Sequence, residues 1–306
     1  MLPEEFLRRL SQLNIPDAHF GPRPTTYRIN TLKAQPVTHP FSVEPVAWND
    51  GAFILRGATL RELTETDAYK NGALYVQSLS SMVPPLILDV KPWQRVLDIA
   101  AAPGSKTTQM AALMQNQGEI IANDTSNVRR YRLTANLSMQ GVTIAQVTSM
   151  DARSLWQRYP EQFDRVLADV PCSMEGRFDD TDPKSYQDWS MKKVQDLSHL
   201  QRWMLRSAIS AAKPGGIIVY STCTLSPEEN EEVIDWILAK EKGNIILDEI
   251  VLPALKLDPA VLHWGGRHYD QSIGKTARIH PTPLMEGFFI AKFRKVKSSV
   301  PSRIRG

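Results

Sequence analysis

The chain has 306 residues, 42% of them apolar, and a formal net charge of +3, which suits one large domain or a medium domain with a small companion. No apolar run approaches the roughly 20 residues of a membrane span, and the acidic start through Glu4 and Glu5 lacks the charged and apolar regions of a signal peptide. Two cysteines make no disulfide framework, so a reducing cytoplasm is the expected location. Along residues 1–85 prolines punctuate the chain, among them Pro22, Pro24 and Pro45. A helix over 4–13, strands over 26–30 and 52–55, and a helix start within 75–82 describe a small N-terminal α+β domain. Pro84 and Pro85 fit an early helical turn or a break. From 95 onward strands and helices alternate. Strands are expected at 96–99, 119–123, 144–147, 165–169, 216–220 and 287–291. Helices are expected at 106–114, 126–139, 197–212 and 227–240, with Pro227 opening the last. Such alternation predicts an α/β, Rossmann-like catalytic domain over 86–296, mostly parallel, with helices on both faces. Residues 297–306 form a basic tail.

Chemistry in this architecture collects just past the carboxyl ends of the strands. Ala100, Ala101, Ala102, Pro103, Gly104, Ser105 and Lys106 join the first strand of the alternating series to its helix. Small residues admit a ligand close to the backbone, and helix-start N–H groups favour anionic groups. Neither the P-loop spacing nor the dinucleotide fingerprint is present. Asp124 follows the second strand, where a carboxylate can accept both hydroxyls of a ribose or cap the next helix. Asp151 follows the third and can face an adenine amino group or act as a cap. The loop with Asp124 and Asp151 points to an adenosine-bearing ligand, and without a phosphate motif S-adenosylmethionine fits better than ATP or NAD.

Both cysteines stand in short motifs after apolar strands. Cys172 lies within Asp169, Val170, Pro171, Cys172 and Ser173; Cys223 lies within Tyr220, Ser221, Thr222, Cys223 and Thr224. Two thiols brought to one crevice suggest sulfur chemistry; the alternative is a pair of small buried hydrophobes. The six histidines show no metal-ligand spacing, and neither cysteine belongs to a Cys-x-x-Cys pair, so no metal is expected. His263 and His268 read as a loop pair.

The stretches 96–109, 169–173 and 220–230, with further matches at 27–33, 75–82 and 286–292, strongly resemble the NOL1/NOP2/Sun family of RNA cytosine-C5 methyltransferases, which includes the bacterial rRNA enzymes of the RsmB and RsmF type. The resemblance spans nearly the whole chain, and the paired Pro-Cys and Thr-Cys motifs in this order are highly specific. It implies S-adenosylmethionine as cofactor, Cys223 as the nucleophile that adds to cytosine C6, and Cys172 as the thiol that assists product release. It also implies a base or cofactor contact by Asp169 and a cofactor-site role for Arg129, otherwise a surface helix arginine. Lys106 is expected to neutralise Asp98 or Asp169, to contact the cofactor, or to stand in solvent. Met174 departs from the family, which commonly has Gly or Thr after Pro-Cys-Ser, and Ser105 replaces a frequent Gly.

The expected partner is RNA, first rRNA or a ribosomal particle and second tRNA, with the chain itself monomeric. A cytosine must leave its stack to meet a thiol, so a single-stranded or locally opened target is expected. Arg23, Arg28 and Lys33 are candidates for phosphate contact. Trp48, Tyr186 and Trp189 are candidates for base stacking or for packing. Further basic residues cluster at 129–132 and from Lys292 to Arg305. Glu228, Glu229 and Asn230 read as first-turn residues favoured by the helix dipole, and the resemblance implies a supporting role for this segment in shaping the site.

Overall fold

The computed structural model describes residues 1–15, 17–33 and 41–300. Helix α1 (Glu4–Gln12) precedes a four-stranded sheet of β1 (Thr26–Ile29), β2 (Val43–Val46), β3 (Asn49–Leu55) and β4 (Leu74–Val76), in the order β2-β3-β1-β4. Two short helices, α2 (Leu60–Glu65) and α3 (Asp67–Lys70), lie between β3 and β4. A capping box of Thr59 and Glu62 starts α2, and Thr66 caps α3. Tyr75 and Val76 are therefore strand, and the helix expected within 75–82 begins only at Leu79, as α4 (Leu79–Leu88). Pro84 and Pro85 lie inside α4. A proline at 85 cannot donate to the carbonyl of Ser81, and the Gln77 side chain donates to that carbonyl instead, at 3.1 Å.

The catalytic layer then runs β5 (Arg95–Asp98), α5 (Ser105–Leu113), β6 (Glu119–Asn123), α6 (Asn127–Met139), β7 (Ala145–Thr148), α7 (Leu155–Arg158), β8 (Phe163–Asp169), α8 (Met191–Ala211), β9 (Ala212–Thr222) and α9 (Glu231–Lys240). Short strands β10 (Ile245–Leu247), β11 (Asp258–Pro259), β12 (His263–Trp264), β13 (Arg267–His268) and β14 (Ala277–Ile279) lead to the long β15 (Phe288–Lys295). The main sheet has the order β11-β14-β15-β9-β8-β5-β6-β7, and β10 also pairs with β15. Strands β5 to β9 are mutually parallel, while β15 runs antiparallel to β9. Because the chain winds outward from β5 to β7 and then returns to β8, the crevice between β5 and β8 is the switch point where ligands bind in such sheets.

Two apolar layers sandwich this sheet. Residues of α8 and α9, including Leu205, Ala208, Val233 and Ile237, bury one face. Met82 and Val83 of α4 with Met110 and Ala111 of α5 bury the other, together with Ala52 and Ile54 of the N-terminal sheet. Residue 85, expected as a domain boundary, thus falls within a helix that packs on the catalytic sheet. The helix expected from Pro227 starts at Glu231; residues 227–230 form a turn whose side chains serve the site. The strand expected from 216 starts earlier, directly after α8, because β9 begins at Ala212 and meets Phe163 before the register shifts.

Candidate active site

The parallel pairing of β8 with β9 sets Asp169 beside Ser221. Both cysteine motifs therefore leave the sheet side by side, and Cys172 Sγ lies 3.2 Å from Cys223 Sγ as a pair of free thiols. The Cys223 N–H also donates to Cys172 Sγ at 3.3 Å. Cys172 is buried; Cys223 is half-buried and lines a cavity of about 340 Å³ together with Asp98, Lys106, Asp169 and Phe288. The sulfur contact with Cys223, then burial, push the Cys172 thiol well above its ordinary pKa. Cys172 keeps its proton at neutral pH, so its S–H is the donor available to the other sulfur.

Two buried carboxylates, Glu175, which sequence reasoning did not single out, and Glu229, shape the loops behind the thiols. Glu175 accepts from Trp189 Nε1, Leu225 N and Ser226 Oγ at 2.9, 3.1 and 2.7 Å. Glu229 accepts from Ser173 N at 3.0 Å, from the Ser173 hydroxyl, and from Gln201 Nε2 at 2.7 Å. Burial pushes Glu229 up to about 7. Asn230 bonds Thr222 Oγ1 and Thr224 O across the Cys223 loop. Glu229 and Asn230 thus brace the sulfur loops rather than populating a first helical turn, and Glu228 pairs with Arg9 at 2.5 Å.

Facing the thiols, Lys106 Nζ lies 2.7 Å from Asp169 and donates to Ser81 Oγ at 2.9 Å. The other Asp169 oxygen accepts from Ser221 Oγ at 2.7 Å. Asp98 is buried beneath them, accepts from Thr107 Oγ1 at 2.7 Å, and is pushed up to about 7 chiefly by burial. Of the expected loop, Ala100, Ala101, Ala102, Pro103, Ser105 and Lys106 line the cavity. Gly104 turns the chain into α5 with φ 110°, a conformation glycine alone adopts freely, and a Cβ there would press on Leu133 at 3.0 Å. Arg129 also lines the cavity; it sits 3.3 Å from Asp124 and donates to the Ala102 carbonyl. Asp124 is buried at the end of β6, where its two oxygens accept from Ala102 N and Ser126 N. Neither Asp124 nor Asp151 is among the cavity-lining residues, and Asp151 stands further apart, half-exposed and bound to Arg153 at 2.6 Å.

The residues expected to contact RNA have partners within the chain. Arg28 is 4% exposed and bonds Gln77, Thr108 and the Ser105 carbonyl, fastening β1 to α5. Lys33 donates to the carbonyls of Asn71 and Met139, and Arg23 to those of His19, Thr282 and Met285. Tyr186 and Trp189 pack in a cluster with Phe6, Phe20 and Phe178, while Trp48 packs against the core beside α4. Of the three cations only Arg28 is buried; Lys33 stays exposed and Arg23 is half-buried, each donating to main-chain carbonyls. Each was flagged by residue type and position alone, and spacing carries no signal for a long-range partner. In the basic terminal segment Lys295 is buried against Glu161 and Arg294 pairs with Asp248; 301–306, with Arg303 and Arg305, lie outside the described residues. His263 and His268 face each other across β12 and β13, and among the described residues no cluster suited to a metal ion occurs.

Residues 85–294 match the family model described as 16S rRNA methyltransferase RsmB/F. A tRNA (cytosine(49)-C(5))-methyltransferase of Pyrococcus abyssi is 43% identical over 286 residues, covering 90% of this chain and 89% of that protein. A ribosomal RNA small subunit methyltransferase F of Cronobacter sakazakii is 39% identical over 90% of this chain, which spans only 57% of that longer relative. Among solved structures, NSun6 from Pyrococcus horikoshii with SFG superposes with a TM-score of 0.79 at 25% identity, over 96% of this chain and 98% of that one.

Proposed function

The chain belongs to the 16S rRNA methyltransferase RsmB/F family of RNA cytosine-C5 methyltransferases, and from that premise we propose that it methylates cytosine C5 in RNA through a covalent bond between Cys223 and C6. The paired sulfurs, 3.2 Å apart at the ends of β8 and β9, carry this reading. S-adenosylmethionine, of which the SFG bound in the NSun6 structure is an analogue, supplies an electrophilic methyl group when bound. The cavity fits it on one side, where small loop residues and the first turn of α5 line it; Asp124, read as the ribose acceptor, lies behind the lining residues Ala102 and Arg129 that it contacts. Ribose binding there requires Arg129 to give up its contact with that carboxylate.

C5 of cytosine is a poor nucleophile until C6 carries a thiolate. Cys223 lines the cavity and supplies that sulfur, and the protonated Cys172 thiol donates toward it. Asp169, fixed between Lys106 and Ser221, is the group that hydrogen-bonds the base edge as electron density moves from C6 toward C5. After methyl transfer the C5 proton leaves, the C6–S bond breaks, and the electron pair returns to Cys223; Cys172 supports this elimination. Fixed Lys106 and buried Asp98 keep the electrostatics of the crevice constant while charge moves.

Small-subunit rRNA is the first substrate in this reading, following the family description. tRNA is the second, favoured by the near-equal length of the match to the archaeal tRNA enzyme. Incubating the purified chain with radiolabelled S-adenosylmethionine and 5-fluorocytidine-substituted rRNA or tRNA transcripts tests both. A fluorine at C5 blocks the final elimination, so the true substrate becomes covalently trapped on Cys223. Absence of a trapped species with either RNA would count against the covalent route.

A further inference from the structure

Three cations line the catalytic cavity, and two of them are engaged. Lys106 is held by Asp169 and Ser81, and Arg129 by Asp124 and the Ala102 carbonyl. Arg177 differs. Its Nε lies 3.2 Å from Glu286, its side chain is 55% exposed, and its other guanidinium nitrogens have no hydrogen bond to any described residue. The carboxylate of Glu286 is steadied from behind by Ser78 Oγ at 3.0 Å, which leaves the far edge of the guanidinium facing open space.

The backbone fixes where that edge sits. Gly176 N donates to the Cys223 carbonyl at 3.0 Å, and Gly287 N donates to the Gly176 carbonyl at 2.9 Å. Arg177 therefore begins one residue from a direct tie to the proposed nucleophile, in the turn that follows Cys172. The residues read above as holding the cofactor, Ala100 to Lys106 and Asp124, belong to different loops, those after β5 and β6. A nucleotide that delivers its base to Cys223 brings its own phosphates within the reach of an arginine side chain. A planar guanidinium with one edge free matches a phosphate's oxygens, whereas a lysine offers only a point charge.

We propose that Arg177 receives a backbone phosphate of the flipped target nucleotide, so that it anchors the RNA strand beside Cys223. The proposal rests on the RNA-methyltransferase reading above and adds a substrate-binding residue that sequence motifs did not mark. The guanidinium pKa is held above its ordinary value chiefly by the Glu286 carboxylate, so the group stays cationic throughout the working range.

The test uses the full chain with Arg177→Met and Arg177→Lys. One arm measures Kd for a fluorescein-labelled single-stranded oligoribonucleotide containing one cytosine, over a salt series. The other measures Kd for S-adenosylhomocysteine by calorimetry. Arg177→Met is expected to raise the RNA Kd about tenfold and to flatten the log Kd against log salt slope by about 0.7, the value for one single-strand phosphate contact. The cofactor-product Kd should not move. Arg177→Lys keeps the slope and loses part of the affinity, which separates charge from fold. An unchanged slope and RNA Kd in Arg177→Met overturns the proposal. Weaker S-adenosylhomocysteine binding with RNA affinity intact also overturns it, reassigning the guanidinium to the cofactor's carboxylate. Wild-type protein that methylates RNA in either case leaves the parent reading standing; wild-type protein that neither binds nor methylates RNA sinks both.

Discussion

At the scale of single residues, the site divides labour between two thiols of unlike surroundings. Cys223 faces the cavity, and Cys172 lies behind it with its proton retained by the neighbouring sulfur and by burial. On the proposed mechanism, removing Cys172 leaves adduct formation intact and slows release. For Cys172→Ala the expected outcome is an RNA–protein complex that persists on a denaturing gel, with turnover down about 100-fold, the scale of a lost proton-transfer partner. Turnover equal to wild type with no trapped complex would remove Cys172 from the mechanism. Both cysteines, Asp169 and the Lys106 loop were legible in the sequence because each follows a strand directly, and strand ends are where such sheets place ligands. Glu175, Arg177 and Glu286 were not: their partners lie from 14 to 208 residues away in the chain, and no local pattern encodes them.

At the scale of elements, the turn after Cys172 is pressed against the loop before β15. A Cβ at Gly176 would meet the Gly287 carbonyl oxygen at 2.1 Å, with backbone on both sides. Gly176→Ala is expected to cost about 3 kcal/mol, in the upper range for single substitutions, and to lower methyl transfer even in the folded fraction by displacing Cys223. A denaturant midpoint matching wild type would contradict this. Glu229, under the same turn, makes stability depend on pH. Its folded pKa near 7 exceeds the ordinary 4.5, so between these values the native state holds a proton that the unfolded chain has released. Stability is thus highest below pH 4.5 on this account, falls as pH rises to 7, and levels off above. The gap corresponds to at most about 3 kcal/mol. Glu229→Gln should shrink the loss of stability between pH 5 and 8 measured by urea unfolding; an undiminished loss would exonerate this carboxyl. Most elements were legible from period and turn residues. Among the exceptions, β4 is only three residues long, too short for a period to declare itself, and residues 227–230 contain a good helix opening that tertiary hydrogen bonds to the cysteine loops override.

At the scale of the whole molecule, the N-terminal sheet is joined to the catalytic layer by groups that look like nucleic-acid contacts in sequence. Arg28 bonds into α5, Lys33 into the end of α6, and Arg9 onto Glu228. Burial pulls Arg28 down to about 10, so it stays charged at neutral pH and acts as a fixed internal tie. These positive residues near the N-terminus thus serve cohesion, and on the proposal made for Arg177 the RNA-facing charge lies at the cavity mouth. The central claim, sulfur-dependent methylation of RNA cytosine, is tested most directly in cells that lack this gene and are complemented with wild type or Cys223→Ala. Bisulfite sequencing of their rRNA and tRNA should reveal at least one cytosine that resists conversion only with the wild-type chain, and its position names the substrate. An identical resistance pattern in the deletion, the wild type and the variant would contradict the account.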